Sequence, residues 1–180
     1  MSVLDRLTRE DLIELAMLND GQLFAKMSVD YVALHPDAKE PYQATPGAAG
    51  YDMFMTEWSL VKNEKASKLY GTDIHYPDLT RYHTGIAMEI PFGYVGLLLP
   101  RSSCYKVAMT LSNCVGAIDS DYRGEVCFIY RDTGDEEGEY KVGERIGQII
   151  IVRKKSIQWN RKEKLSETIR GIGGFGSTGK

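Results

Sequence analysis

A chain of 180 residues, 43% of them hydrophobic, has the length for one domain with an ordinary core. Its net charge of −3 and sequence pI near 5.7 argue against the basic face that direct nucleic-acid binding requires, although a few convergent cations can still hold a small polyanion. The longest apolar runs, Val95 to Leu99 and Ile146 to Val152, are too short to cross a bilayer, and the amino terminus carries no long apolar signal segment; a soluble, intracellular protein is expected.

Residues 2 to 18 read as a helix. Ser2-x-x-Asp5 and Thr8-x-x-Asp11 resemble capping patterns, Leu12, Leu15, Ala16 and Leu18 form a stripe at helical spacing, and Asn19-Asp20-Gly21 ends it. The rhythm then changes to short strands punctuated by Gly, Pro and Asp: Leu23 to Leu34, Asp52 to Trp58, Gly85 to Ile90, Tyr94 to Leu99, Glu125 to Tyr130 and Arg145 to Val152. No amphipathic helix separates most of them, so the expected fold is all-β, a jelly roll or distorted β-barrel. The polar, turn-rich stretch 62–81 reads as a surface insertion. The resulting organisation is a helical extension over 1–21, a β domain over 22–166, and a glycine-rich carboxyl-terminal arm over 167–180.

Cys104, Cys114 and Cys127 are odd in number and form no CxxC pair, which points to ordinary half-buried thiols rather than a disulfide framework or structural zinc site. His35, His75 and His83 lie far apart without acid or cysteine at ligand spacing, and read as surface or satisfied histidines.

Five stretches depart from strand-and-turn grammar: "PGAAGYDM" at 46–53, "PRSS" at 100–103, "NCVGAIDSDYRGEV" at 113–126, "GERIGQ" at 143–148, and the tail "RGIGGFGSTGK" at 170–180. Each alone suits a turn or a strand start, and five glycines among the last eleven residues would by themselves suit a flexible terminus. Together and in this order they resemble the five motifs of the homotrimeric deoxyuridine triphosphatases (dUTPases), over roughly Leu23 to Lys180. The resemblance implies hydrolysis of dUTP to dUMP and pyrophosphate, which limits uracil incorporation into DNA and supplies dUMP for thymidylate synthesis.

What the resemblance implies for the site can be set against what each side chain can do. The third motif would form a β-hairpin that takes in uracil, with Gly116, Ala117, Ile118 and the Cys127 backbone lining it and Asn113 near the base edge. A buried mismatch, such as cytosine would present, leaves groups unpaired at about 1–3 kcal/mol each. Tyr122 would pack on the deoxyribose. Arg101, Ser102 and Ser103 would contact the α and β phosphates, and Gln148 the phosphates or the attacking water. Asp119 would be the general base, with Asp121 bracing the hairpin. Magnesium would be held mainly by the triphosphate, with Asp52 reaching it through water or serving instead as a buried structural acid. Arg170, Phe175, Gly176, Ser177 and Thr178 would wrap the γ phosphate and stack on uracil, glycine permitting close approach. The site would be shared between three subunits.

Two positions depart from the family pattern. Ser103 stands where the second motif usually has glycine, with strain or an altered phosphate contact expected, and Gly147 stands where the fourth usually has alanine. Two rival readings remain at this level. The related dCTP deaminases share "RSS", but need a glutamate where this chain has Ile129 and an arginine near Tyr105-Lys106. A nucleotide-gated regulatory protein of the phage type would use the insertion to hold a partner. The expected location is cytoplasmic, in the host if the gene is viral, with the nucleus left open.

Overall fold

The computed structural model describes residues 27–61, 79–133 and 139–174. The expected helix at 1–21 and most of the expected insertion lie outside the described residues. Within them the chain forms two antiparallel sheets. The strands are β1 (Asp30–Ala33), β2 (Tyr51–Phe54), β3 (Glu57–Val61), β4 (Leu79–Glu89), β5 (Tyr94–Leu99), β6 (Met109–Leu111), β7 (Gly116–Ile118), β8 (Glu125–Asp132) and β9 (Arg145–Arg153). One sheet runs β1-β4-β8-β6 with β3 also on β4; the other runs β2-β9-β5-β7. This is the expected all-β architecture.

The period of two explains the burial. Along β8, Val126, Phe128 and Tyr130 are buried while Glu125, Cys127 and Ile129 are only half-buried on the opposite face. The inward set joins Met53, Met55, Tyr82, Ile86, Ile146 and Ile149 in one core. Two of the buried hydroxyls at the core are satisfied by carbonyls: Tyr130 donates to Ile146 at 2.5 Å and Thr84 to Val126 at 2.7 Å. Tyr82, Tyr130 and Tyr140 meet edge to face, with ring centroids 5.5–5.7 Å apart.

Several strands differ from their sequence-based bounds. The expected strand from Asp52 to Trp58 is two strands, because the chain changes sheets at Met55 and Thr56. Met55 donates to the Glu144 carbonyl, and Thr56 donates to that of His83. Thus β2 pairs with β9 and β3 with β4. The strand expected to begin at Gly85 begins at Leu79, so the last three residues of the expected insertion are sheet. They are held there by two partners, Val61 to Ser59 on β3 and Arg131 to Ile129 on β8.

Gly147 has a specific reason. A Cβ at this position would stand 2.1 Å from Cε1 of Phe128, whose ring is 1% exposed. The Phe128 ring fills the space that an alanine side chain would need.

Candidate active site

Two groups of side chains gather the chemistry, one at the end of a single sheet and one between the two sheets. The first lies at the end of the β2-β9-β5-β7 sheet. Register places Asp52 of β2 opposite Gln148 of β9, and Gln148 opposite Leu99 of β5. The "PRSS" turn follows β5 directly, so the first, second and fourth motifs converge. Asp52 is 8% exposed, and both its carboxylate oxygens are engaged. Arg101 donates Nε–H to Oδ1 at 3.0 Å, and Arg145 donates from Nη1 to Oδ2 at 3.0 Å. Gln148 donates from Nε2 to the Pro100 carbonyl at 3.2 Å, tying β9 to the start of the turn. A carboxylate between two guanidiniums orients both forks and leaves their remaining N–H groups available for an anion.

Ser103 is unstrained. Its φ of −86° and ψ of 4° are open to any residue. Its hydroxyl accepts from Arg101 Nη1 at 3.3 Å, so the residue in place of the usual glycine helps aim the arginine. Ser102 is exposed beside it.

The second group surrounds a cavity of about 470 Å³ lined by Arg81, His83, Ala117, Ile118, Asp119, Tyr122, Glu125, Cys127 and Ile129. Among the described residues β7 pairs only with β5, and no strand lies on its other edge. Strand β8 pairs with β6 only from Tyr130 onward. The two arms of the third motif therefore belong to different sheets. They do not pair with one another as a closed hairpin would, and the gap between them is the cavity. Gly116 is buried in β7, and Asn113 is exposed at the turn before it; neither lines the cavity.

The loop between the arms is tightly held. Tyr122 donates its N–H to the Asp119 carbonyl and its hydroxyl to the Glu125 carbonyl, both at 3.1 Å. Its ring lies over Gly124, where a Cβ would meet the phenol oxygen at 2.4 Å. Asp121, expected as the brace, has no hydrogen bond or ion pair among the described residues. That work falls to Arg123, which donates to the carbonyls of Ser120 at 2.7 Å and Tyr122 at 2.9 Å and pairs with Glu89 at 2.9 Å. Asp119 is exposed and lines the cavity.

The floor of the cavity contains residues that linear spacing did not single out. The register sets His83 opposite Cys127 and Arg81 opposite Ile129. His83 Nδ1 lies 2.8 Å from Glu125 Oε2 and 3.6 Å from Cys127 Sγ, and its Nε2 lies 3.0 Å from Ser59 Oγ. Burial and then the neighbouring Glu125 charge push the Cys127 thiol up to about 12. Burial alone would raise Glu125, but hydrogen bonds from His83 and the Gly85 N–H outweigh it and hold its carboxyl below the usual 4.5. The sequence signal was the Glu-x-Cys alternation on β8, which puts both side chains on one face.

Arg170 is exposed and donates Nε–H to the Gly173 carbonyl at 2.9 Å; among the described residues its Nη groups have no hydrogen bond. Phe175, Gly176, Ser177 and Thr178 lie outside the described residues. None of Arg101, Ser102, Ser103, Gln148 and Arg170 lines the cavity.

A cavity between the two sheets, and a separate arginine-and-serine turn with the donors to hold an anion, are the two candidate sites of this two-sheet β protein. The dUTPase family model matches residues 37–179. The deoxyuridine 5′-triphosphate nucleotidohydrolase of Nautilia profundicola is 38% identical over 155 residues, covering 86% of this chain and all of that protein. Among solved structures, a point variant of the Staphylococcus bacteriophage 80alpha dUTPase with dUpNHpp superposes with a TM-score of 0.69 at 23% identity, covering 86% of this chain and 100% of that one. A point variant of the dUTPase from phage phi11 of S. aureus, whose structure details the coordination of a structural Mg(II) ion, superposes with a TM-score of 0.61 at 20% identity, covering 78% and 100%. The chain belongs to the dUTPase family.

Proposed function

We propose that the protein is a dUTP diphosphatase that converts dUTP to dUMP and pyrophosphate. The observation that carries this reading is the cavity between β7 and β8, which do not pair with one another among the described residues, with Asp119 in its lining. Uracil enters between the strand edges and pairs with backbone donors and acceptors whose identity is fixed, which is why cytosine is rejected. Tyr122, held by its hydroxyl and by Gly124 beneath it, packs on the deoxyribose. Arg101, aimed by Asp52 and Ser103, binds the phosphates together with Ser102.

Asp119 orients a water in line with the α phosphorus and takes its proton. The water oxygen bonds to phosphorus as the bond to the bridging oxygen breaks, and pyrophosphate leaves; the proton then passes to solvent. Alignment and charge neutralisation supply most of the acceleration. Gln148 helps place the water or the phosphates.

Magnesium fits as an ion carried mainly by the triphosphate. Both Asp52 oxygens already accept from guanidiniums, so this acid would approach the metal through water, using its remaining lone pairs. When bound, the ion screens the charge of the leaving pyrophosphate.

The base cavity and the arginine turn are separate within one chain, which supports a homotrimer in which one subunit supplies the base cavity and another the phosphate turn. The arm of a third, through Arg170, Phe175, Gly176, Ser177 and Thr178, closes on uracil and the γ phosphate. Deamination of dCTP is disfavoured because the position that needs a proton-carrying acid is the apolar Ile129, at the cavity wall. No described helix is long and apolar enough to cross a membrane, and the cytoplasm suits the substrate.

The test is Asp119→Asn. It keeps the shape and removes the base, so kcat should fall about 10²–10⁴-fold while a non-hydrolysable dUTP analogue binds within a few-fold of wild type. Turnover within a few-fold of wild type would assign the base to another residue.

A further inference from the structure

We propose that His83, Glu125 and Cys127 form a binding site for a zinc-class transition-metal cation, with one coordination position open to the cavity. The imidazole nitrogen, carboxylate oxygen and thiol sulfur all lie within 4.8 Å of one another. Two sheet rules put them there. Glu125 and Cys127 share one face of β8 by its period of two, and His83 is the register partner of Cys127 on β4.

The distances suit a tetrahedral ion. With Zn–S about 2.3 Å and Zn–N about 2.0–2.1 Å, a sulfur–nitrogen edge is about 3.6 Å; Cys127 Sγ and His83 Nδ1 are 3.6 Å apart. The edge from His83 Nδ1 to Glu125 Oε2 is 2.8 Å, and a metal would open it by about half an ångström toward tetrahedral spacing.

Two further bonds already aim the donors, as metal ligands require. Gly85 donates its N–H to Glu125 Oε1 at 2.7 Å, which turns Oε2 toward His83. Ser59 Oγ lies 3.0 Å from His83 Nε2 and accepts its proton when Nδ1 is the ligand. On binding, the Cys127 thiol proton is released to solvent, and the histidine proton moves from Nδ1 to Nε2. A thiolate–imidazole–carboxylate set selects zinc-like ions over magnesium, which demands octahedral oxygen.

The fourth position faces the cavity lined by Ala117, Ile118, Asp119 and Tyr122. Resting on the proposed function, the metal and the nucleoside compete for that space; metal binding itself does not depend on that reading.

The experiment titrates Co²⁺ into the full-length, metal-free, reduced protein without nucleotide. The expected result is one cobalt per chain with a thiolate-to-cobalt charge-transfer band, displaced by Zn²⁺ but not by excess Mg²⁺. The band should vanish in Cys127→Ser, weaken in His83→Gln and persist in Cys114→Ser. If Cys127→Ser fails to fold, X-ray absorption on the zinc-loaded wild type should show one sulfur with lighter neighbours. No band, a band surviving in Cys127→Ser, or a sulfur-free zinc shell would overturn the site. Saturating dUMP should weaken cobalt binding; cobalt affinity unchanged by dUMP would overturn the competition while the band still reports on the site.

Discussion

Gly147→Ala places a methyl group where the Phe128 ring already lies. The added Cβ would be 2.1, 2.6 and 2.7 Å from three ring carbons, against the 3.4–4 Å of ordinary contact. At least one atom must therefore move by roughly an ångström. The ring has little room to yield, because Phe128 is 1% exposed and stacks beside Tyr130 with centroids 6.4 Å apart. Overpacking of this kind costs about 1–3 kcal/mol, or a fall in Tm of roughly 2–12 °C for a chain of this size. The adjacent Gln148 bonds to Pro100 across to the arginine turn, so kcat should fall as well. The assay is urea unfolding at fixed protein concentration, on the two single variants and on Gly147→Ala combined with Phe128→Leu. The smaller side chain makes room, so the double variant should be more stable than the sum of the singles by about 0.5–3 kcal/mol. Gly147→Ala as stable as wild type, with no coupling to Phe128, would refute the argument from shape.

Two further expectations concern the arm and the core. Truncation before Arg170 should leave the proposed trimer unchanged by analytical ultracentrifugation and cut kcat/KM at least tenfold; full activity without the arm would remove it from the site. Tyr82 is buried and its hydroxyl is pushed from 10 up to about 12, by desolvation first and then by the Glu139 charge. A raised folded value stabilises fully below the unfolded value of 10, and that contribution is lost as pH rises through the folded value. Tyr82→Phe should flatten the loss of stability between about pH 10 and 12, a window worth about 2–3 kcal/mol; unchanged alkaline unfolding would contradict the burial argument.

The sequence carried the fold class because its strands are short and separated by turn residues, with no amphipathic helix between most of them. Tyr94 to Leu99 matches its strand end for end. The sheet change at Met55 and Thr56 was hidden, because that stretch has no Gly or Pro and reads as one continuous strand. Asp119, Tyr122 and Cys127 were found through motif order, and the structure puts them on one cavity. His83 was not found: its partners are 42 and 44 residues away and only the β4–β8 register unites them. Arg123 was hidden too, since its role depends on backbone carbonyls of the loop rather than on a side-chain partner at fixed spacing. Ser103 looked like a strained departure in the sequence, yet its backbone angles are ordinary and its hydroxyl serves Arg101.

The most direct measurement is pyrophosphate release by the purified full-length protein with magnesium, across dUTP, dTTP, dCTP and UTP. Cleavage of dUTP with kcat/KM at least a hundredfold above each of the others is the predicted result, as expected when a wrong base or sugar leaves buried polar groups unpaired or collides with the wall. An uncleaved dUTP, or ammonia released from dCTP in its place, would contradict the account.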